Sequence, residues 1–180
     1  MPSRSPGATR LAAIAAGIAI LLSACGGERT AADDSQRGAA DSVSAEPVED
    51  LTVIDTAIAP ELDIDLSRMT RQPSGLYVLD RRVGTGATAD SGKWVSVSYT
   101  GWLTNGTVID DTRKAGKPRD VLLGYGRVIP AWEEGLRGMR AGGRRILVVP
   151  PALGYGKAGQ PGTVPSRATL VFDIELARVH

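Results

Sequence analysis

Apolar and polar positions alternate from Lys93 to Trp102 (Lys93-Trp-Val-Ser-Val-Ser-Tyr-Thr-Gly-Trp102) with the two-residue period of a half-buried strand. The same period runs from Gly75 to Val83, where Gly84-Thr85-Gly86 breaks it, and again from Ala168 to Val179. Asn105-Gly106 is a type I′ hairpin signal, returning through Thr107 to Asp110. Asp111 to Asp120 is polar, holds Gly116 and Pro118, and reads as a loop. Val121 to Leu123 is a short strand, and Gly142-Gly143 turns the chain into another from Arg144 to Val149. Pro150 to Arg167 is a long loop rich in Gly and Pro. One stretch has neither period. Val128-Ile-Pro-Ala-Trp-Glu-Glu-Gly-Leu136 opens on Pro130, tolerated in a first turn, places two acids at the positive end of a helix dipole, and nearly closes on Gly135. It predicts one short helix carrying Trp132, either as a core plug or as the floor of a pocket. The fold class that follows is α+β: about five strands and one short helix, with an antiparallel sheet wrapped against that helix.

Upstream the pattern changes twice. Arg4 and Arg10 precede an uncharged apolar run from Leu11 to Leu22, too short to span a bilayer and suited to the core of a signal peptide. It ends in Leu22-Ser-Ala-Cys25, which resembles the bacterial lipobox, where cleavage precedes a Cys that is then lipidated. Cys25 is the only cysteine in the chain. Residues 1–24 are therefore expected to be a lipoprotein signal peptide, and Cys25 a lipid anchor holding an exported protein to a membrane. Gly26 stands where an Asp would signal retention in the inner membrane of a double-membraned cell, which favours the outer membrane and the periplasmic side. From Gly26 to Asp50 no aromatic residue occurs, and the segment has too little apolar surface to offset the entropy of ordering it. Residues 25–72 are expected to form a flexible acidic tether, and 73–180 the globular domain. Between Leu51 and Met69 apolar and acidic residues mix, and the sequence leaves open whether this part docks on the domain, pairs with a second copy or stays loose.

Charge follows the same division. Residues 26–72 hold eleven acids and four bases, a balance of −7, and residues 73–180 hold nine acids and fifteen bases, a balance of +6. The basic residues are scattered along the domain, which argues against nucleic acid as a partner. One Cys and one His, the latter at the terminal position 180, exclude an internal disulfide and a metal site built on several Cys and His, and leave no His for a triad. No metal or other cofactor is expected. Gly154-Tyr-Gly-Lys-Ala-Gly159 spells the dinucleotide fingerprint, but Pro161 and Pro165 follow where a helix would have to begin.

Four pieces in order, Tyr99-Thr-Gly, Val128-Ile-Pro-Ala-Trp-Glu-Glu-Gly, Pro151-Ala-Leu-Gly-Tyr-Gly and Ala168-Thr-Leu-Val-Phe-Asp-Ile-Glu-Leu, resemble the FKBP-type peptidyl-prolyl isomerases across about 105 residues. The resemblance implies a five- to six-stranded antiparallel sheet wrapped around the short helix, with an apolar pocket between them. Trp132 would be its floor, Val128 and Ile129 its substrate contacts, and Tyr99, Tyr155 and Phe172 its walls, with Asp110 facing the twisted carbonyl. Ile109, Val164, Arg119 and Val121 complete the implied substrate-binding set. The family usually has aromatic residues where Ile109 stands and near Arg119, and its loop Arg that braces the pocket Asp falls at Ala115, with Arg113 close enough to substitute. The pocket centre is thus kept and its rim changed.

Such residues suit rotation about a partial double bond with a barrier of about 18–20 kcal/mol. The twisted amide is less polar than the planar one, so a dry apolar pocket favours it, with the Tyr155 hydroxyl and the Ile129 amide as candidate donors to the carbonyl. No nucleophile, metal or proton relay is needed, and a rate gain of roughly 10⁴ asks for only about 5.4 kcal/mol of differential binding. The expected function is prolyl isomerisation on exported, proline-containing polypeptides; the alternative is a non-catalytic peptide-binding or holdase module with the same pocket. Arg113, Lys114, Lys117, Arg119 and Arg127 cluster at the expected rim and predict a preference for acidic residues near the target proline, or for the chain's own acidic tether.

Overall fold

Two ten-residue strands organise the molecule. The computed structural model describes residues 50–180; the expected signal peptide, Cys25 and the tether as far as residue 49 lie outside the described residues. In chain order the strands are β1 (Thr70–Arg71), β2 (Tyr77–Arg82), β3 (Trp94–Leu103), β4 (Val108–Asp111), β5 (Arg119–Leu122), β6 (Arg144–Val149) and β7 (Leu170–Val179), with one α-helix, α1 (Pro130–Gly135), between β5 and β6. The sheet runs β1-β2-β6-β7-β3-β4, and β5 pairs with the first half of β3 beside β4. Every pairing is antiparallel, and β3 and β7 pair from Val95↔Val179 to Leu103↔Leu170, with one shift of register between Ser96 and Val97. The expected fold class holds, with seven strands among the described residues rather than five or six; the two-residue β1 is too short to show a period.

Alternation sorts the side chains onto two faces. Leu170, Phe172, Ile174 and Leu176 of β7, Leu147 and Val149 of β6, and Val95, Val97 and Tyr99 of β3 point inward with Trp132 and Leu136 and form the main core. Val171, Ile146 and Val148 point the other way and form a second cluster with Ile54. Burial of side chains of this size stabilises the fold by about 1.5–3 kcal/mol each.

The outer cluster is closed by residues 51–69, so of the three arrangements the sequence left open, docking is the one found. Ile58, Leu62, Ile64, Leu66 and Met69 pack over Val148, Val171, Tyr77, Leu79 and Trp102. Backbone bonds hold this strap along its length: Ala59 N–H donates to Thr104 O (2.7 Å) and Ala152 N–H to Leu51 O (2.9 Å). The Asp55 amide donates to Thr169 Oγ1 at 2.8 Å, and Arg81 pairs with Asp63 at 3.3 Å. The folded unit therefore extends upstream of Pro73.

Several local expectations change. The hairpin after β3 forms, but not as a type I′ turn: Leu103 O accepts from Gly106 N–H, Leu103 N–H donates to Thr107 O, and Gly106 (φ 85°) is the left-handed residue whereas Asn105 is not. Asn105 Oδ1 instead accepts from Thr107 N–H at 3.0 Å, giving the three-residue connection that ends in a left-handed Gly. Arg119 and Asp120, expected in a loop, belong to β5 because β3 supplies pairing partners in Val97 and Ser96.

Candidate active site

The helix that was expected to carry the site is only six residues long, and its start is fixed by the loop before it. Ile129 is the N-cap with φ −58° and ψ 147°, Pro130 follows, and the helix ends at Gly135. The Glu133 carboxylate, besides standing at the positive end of the helix, accepts from Gly124 N–H (2.5 Å) and Gly126 N–H (3.0 Å). This ties residues 124–127 to the helix and sets Arg127, Val128 and Ile129 at the mouth of a cavity. Glu134 accepts from Ser74 Oγ at 2.8 Å. Gly135 lies against β6, where a Cβ would come within 2.6 Å of Leu147 Cδ1.

Trp132 is 4% exposed, and the two readings left open for it prove to be one, since it is both core and floor. It meets Tyr99 edge-on at 4.6 Å and Phe172 edge-on at 5.6 Å between ring centroids, the geometry aromatic quadrupoles favour. Its Nε1–H is buried and has no acceptor among the described residues. Gly101 makes the aromatic wall possible: a Cβ there would meet Phe172 Cε1 at 2.6 Å and Ile109 Cγ1 at 3.3 Å.

Above the indole lies a cavity of about 560 Å³, lined by Tyr99, Ile109, Asp110, Arg119, Val128, Ile129, Trp132, Tyr155 and Phe172, with Gly126, Arg127, Gln160 and Thr163 at its edge. Nine of the eleven residues expected in the site are thus brought together. Val121 and Val164 are not. Val121 is 4% exposed and pairs across β5 and β3 with Val95, and Val164 is 5% exposed in the core; both support the wall from behind rather than lining it. Gln160 and Thr163 were missed. The Pro161-Gly162 turn between them was the available signal, since Gln160 and Val164 are bridged across it.

The polar side of the cavity is one connected group. Tyr99 Oη–H donates to Asp110 Oδ2 at 2.5 Å, and Arg119 Nη2 lies 3.1 Å from the same oxygen while its guanidinium sits 5.3 Å from the centre of the Tyr99 ring. Burial, reinforced by the bond to Asp110, pushes the Tyr99 phenol well above its usual range, so it remains a donor at every physiological pH. Arg113, expected to brace Asp110, does not reach it. Its Nη2 pairs with Asp173 Oδ1 at 3.0 Å on the outer face, where Arg144 also binds, its Nε at 2.8 Å from the same oxygen. Burial alone would raise the Asp173 pKa, but the two guanidinium groups outweigh it and hold the carboxyl below its usual value. Arg145 reaches Asp80 (2.7 Å) and the Gly135 carbonyl (2.7 Å), tying β6 to β2 and to the helix end.

Donors at the cavity remain open, the two expected from the sequence among them. The Ile129 amide and the Tyr155 hydroxyl make no hydrogen bond among the described residues. No cluster of three His, Cys, Asp or Glu side chains able to hold a metal occurs among those residues. The arrangement is an aromatic-floored cavity with the Tyr99–Asp110–Arg119 group on one side and donors at its edge.

Residues 86–177 match the model of the family described as FKBP-type peptidyl-prolyl cis-trans isomerase. Over 106 residues the chain is 44% identical to the FK506-binding protein of Neisseria meningitidis serogroup B, covering 59% of this chain and 97% of that one. It is 47% identical over 109 residues to FK506-binding protein 4 of Rhizopus delemar, covering 61% of this chain and 28% of the length of that longer protein. The crystal structure of AtFKBP13 superposes with a TM-score of 0.59 at 35% identity, covering 62% of this chain and 98% of that one.

Proposed function

The chain belongs to the FKBP-type peptidyl-prolyl cis-trans isomerase family, and we propose that it accelerates cis–trans exchange of X-Pro bonds in exported polypeptides, in the cavity over Trp132. One observation carries this reading: an aromatic-floored cavity whose free donors, the Ile129 amide and the Tyr155 hydroxyl, stand at the edge of an apolar interior. The proline ring enters over the indole, where Tyr99 and Phe172 hold the floor in place. Desolvation disfavours the planar amide, which keeps the larger dipole, relative to the twisted one. The edge donors hold the carbonyl oxygen while the C–N bond turns. Asp110, held by the Tyr99 hydroxyl and Arg119, presents its carboxylate toward the amide carbon as the carbonyl loses resonance. Nothing covalent forms, and catalysis is differential binding of a conformation. The lipobox at Leu22–Cys25 supports placing this activity at a membrane surface outside the cytoplasm, with residues 26–49 as spacer.

The aliphatic Ile109 and the charged Arg119, where aromatic residues are usual in the family, favour a second reading: a holdase that retains the pocket without turnover. Proline-limited refolding of a client separates the two. Isomerase action shortens the slow refolding phase at substoichiometric concentration, whereas a holdase suppresses aggregation only near equimolar concentration and leaves that phase unchanged.

A further inference from the structure

Of the five cations clustered around the cavity mouth in sequence, the structure leaves two on its lining. Arg113 is committed to Asp173 on the other face of the sheet. Lys114 and Lys117 are exposed in the loop between β4 and β5 and do not line the cavity. Arg119 and Arg127 do, against the single lining carboxylate of Asp110. Arg119 is 52% exposed, stacked on the Tyr99 ring and held on one side by Asp110. A guanidinium offers five N–H donors in a planar fork, and apart from the Asp110 contact those of Arg119 have no acceptor among the described residues. Arg127 has no ion pair among those residues either, and the pinning of its loop by Glu133 fixes where it stands. A pre-positioned, half-desolvated fork with a free edge is what a carboxylate binds best.

We propose that Arg119, with Arg127, makes this cavity select X-Pro segments carrying an acidic side chain beside the proline. The proposal rests on the prolyl-isomerase reading of the same cavity. Arg119 then has two roles from one place: it holds Asp110 toward the Tyr99 hydroxyl and contacts the substrate's carboxylate. The contact is made equally by planar and twisted amides, so the preference lies in KM and not in kcat.

The test uses the full-length chain with Glu-Pro, Leu-Pro and Lys-Pro peptides of otherwise identical sequence, each followed by isomerisation rate and by binding titration. At low salt Glu-Pro is favoured over Lys-Pro by about three- to tenfold in kcat/KM, and the ratio shrinks as salt screens the contact. Arg119→Gln cuts the ratio at least in half, adding Arg127→Gln brings it to about one, and Arg113→Gln leaves it where it was. A ratio near one at low salt, with Leu-Pro turned over normally, overturns the proposal and leaves the isomerase reading intact. If no peptide is turned over, the isomerase reading fails by itself, and the titrations still decide: equal affinity for Glu-Pro and Lys-Pro overturns the selection, unequal affinity lost in Arg119→Gln supports it.

Discussion

The two faces of the sheet are lined by the same kinds of side chain and covered in different ways. Leu147, Leu170 and Phe172 on the inner face meet a helix of six residues, too short to cover the sheet, and what it fails to cover becomes the cavity over Trp132. Ile146, Val148 and Val171 on the outer face meet the strap of residues 51–69, which follows the sheet closely and is fixed by hydrogen bonds along its course. Their charges differ as well. Outside, Asp173 is closed off by Arg113 and Arg144; inside, Asp110 is held by Tyr99 and Arg119 with part of the guanidinium left open. The outer face is thus satisfied by the chain itself, and the inner face keeps apolar surface and donors that nothing in the described chain occupies. Stability and chemistry are divided between the faces, and substitutions should separate them.

The largest expected effect is on the inner face, where the two coincide. Trp132→Ala removes the floor and should cost about 3–5 kcal/mol in denaturant unfolding, and Leu-Pro turnover should be lost in whatever fraction still folds. A variant that folds and turns over normally would mean that the indole is core alone.

On the outer face stability should move without activity. Asp173→Asn leaves Arg113 and Arg144 without their shared partner and should cost about 2–4 kcal/mol near neutral pH. Because the folded-state pKa of Asp173 is lowered, this contribution is present above its usual value near 3.8 and is lost as pH falls through the folded value. Wild type and variant should therefore converge in stability as the pH drops below about 4. A gap that widens in acid would contradict the assignment. Ile54→Ala, which loosens the strap, should cost about 2 kcal/mol. Leu-Pro turnover should stay within about twofold of wild type in both variants, and a larger loss would show that the outer face acts on the pocket.

The inner face was legible in the sequence and the outer face was not, for a physical reason. Strands β3 and β7 announce themselves by alternation, and Trp132 by a Pro-to-Gly helix, because each pattern is local. The strap has no period of its own. Its Ile54, Ile58, Leu62 and Ile64 are spaced to suit a sheet already formed, so the sequence showed apolar residues without showing their destination. The same limit explains Arg113. Proximity in sequence suggested Asp110, but β4 and β5 leave Arg119 beside that carboxylate and carry Arg113 to Asp173. Val121 and Val164 failed likewise, since both lie one layer behind the wall, a distinction only packing makes.

The most direct test of the central claim, that the gap on the inner face is a prolyl-isomerase pocket, is cis–trans relaxation of a short Leu-Pro peptide. Wild type is compared with Asp110→Val, which removes the carboxylate facing the amide, and Tyr155→Phe, which removes one open donor. The account predicts clear acceleration by the wild type, a loss of tenfold or more in Asp110→Val and a few-fold loss in Tyr155→Phe, in line with about 1.4 kcal/mol per factor of ten. A folded wild type that leaves the relaxation rate at its uncatalysed value, or variants as fast as the wild type, would contradict it.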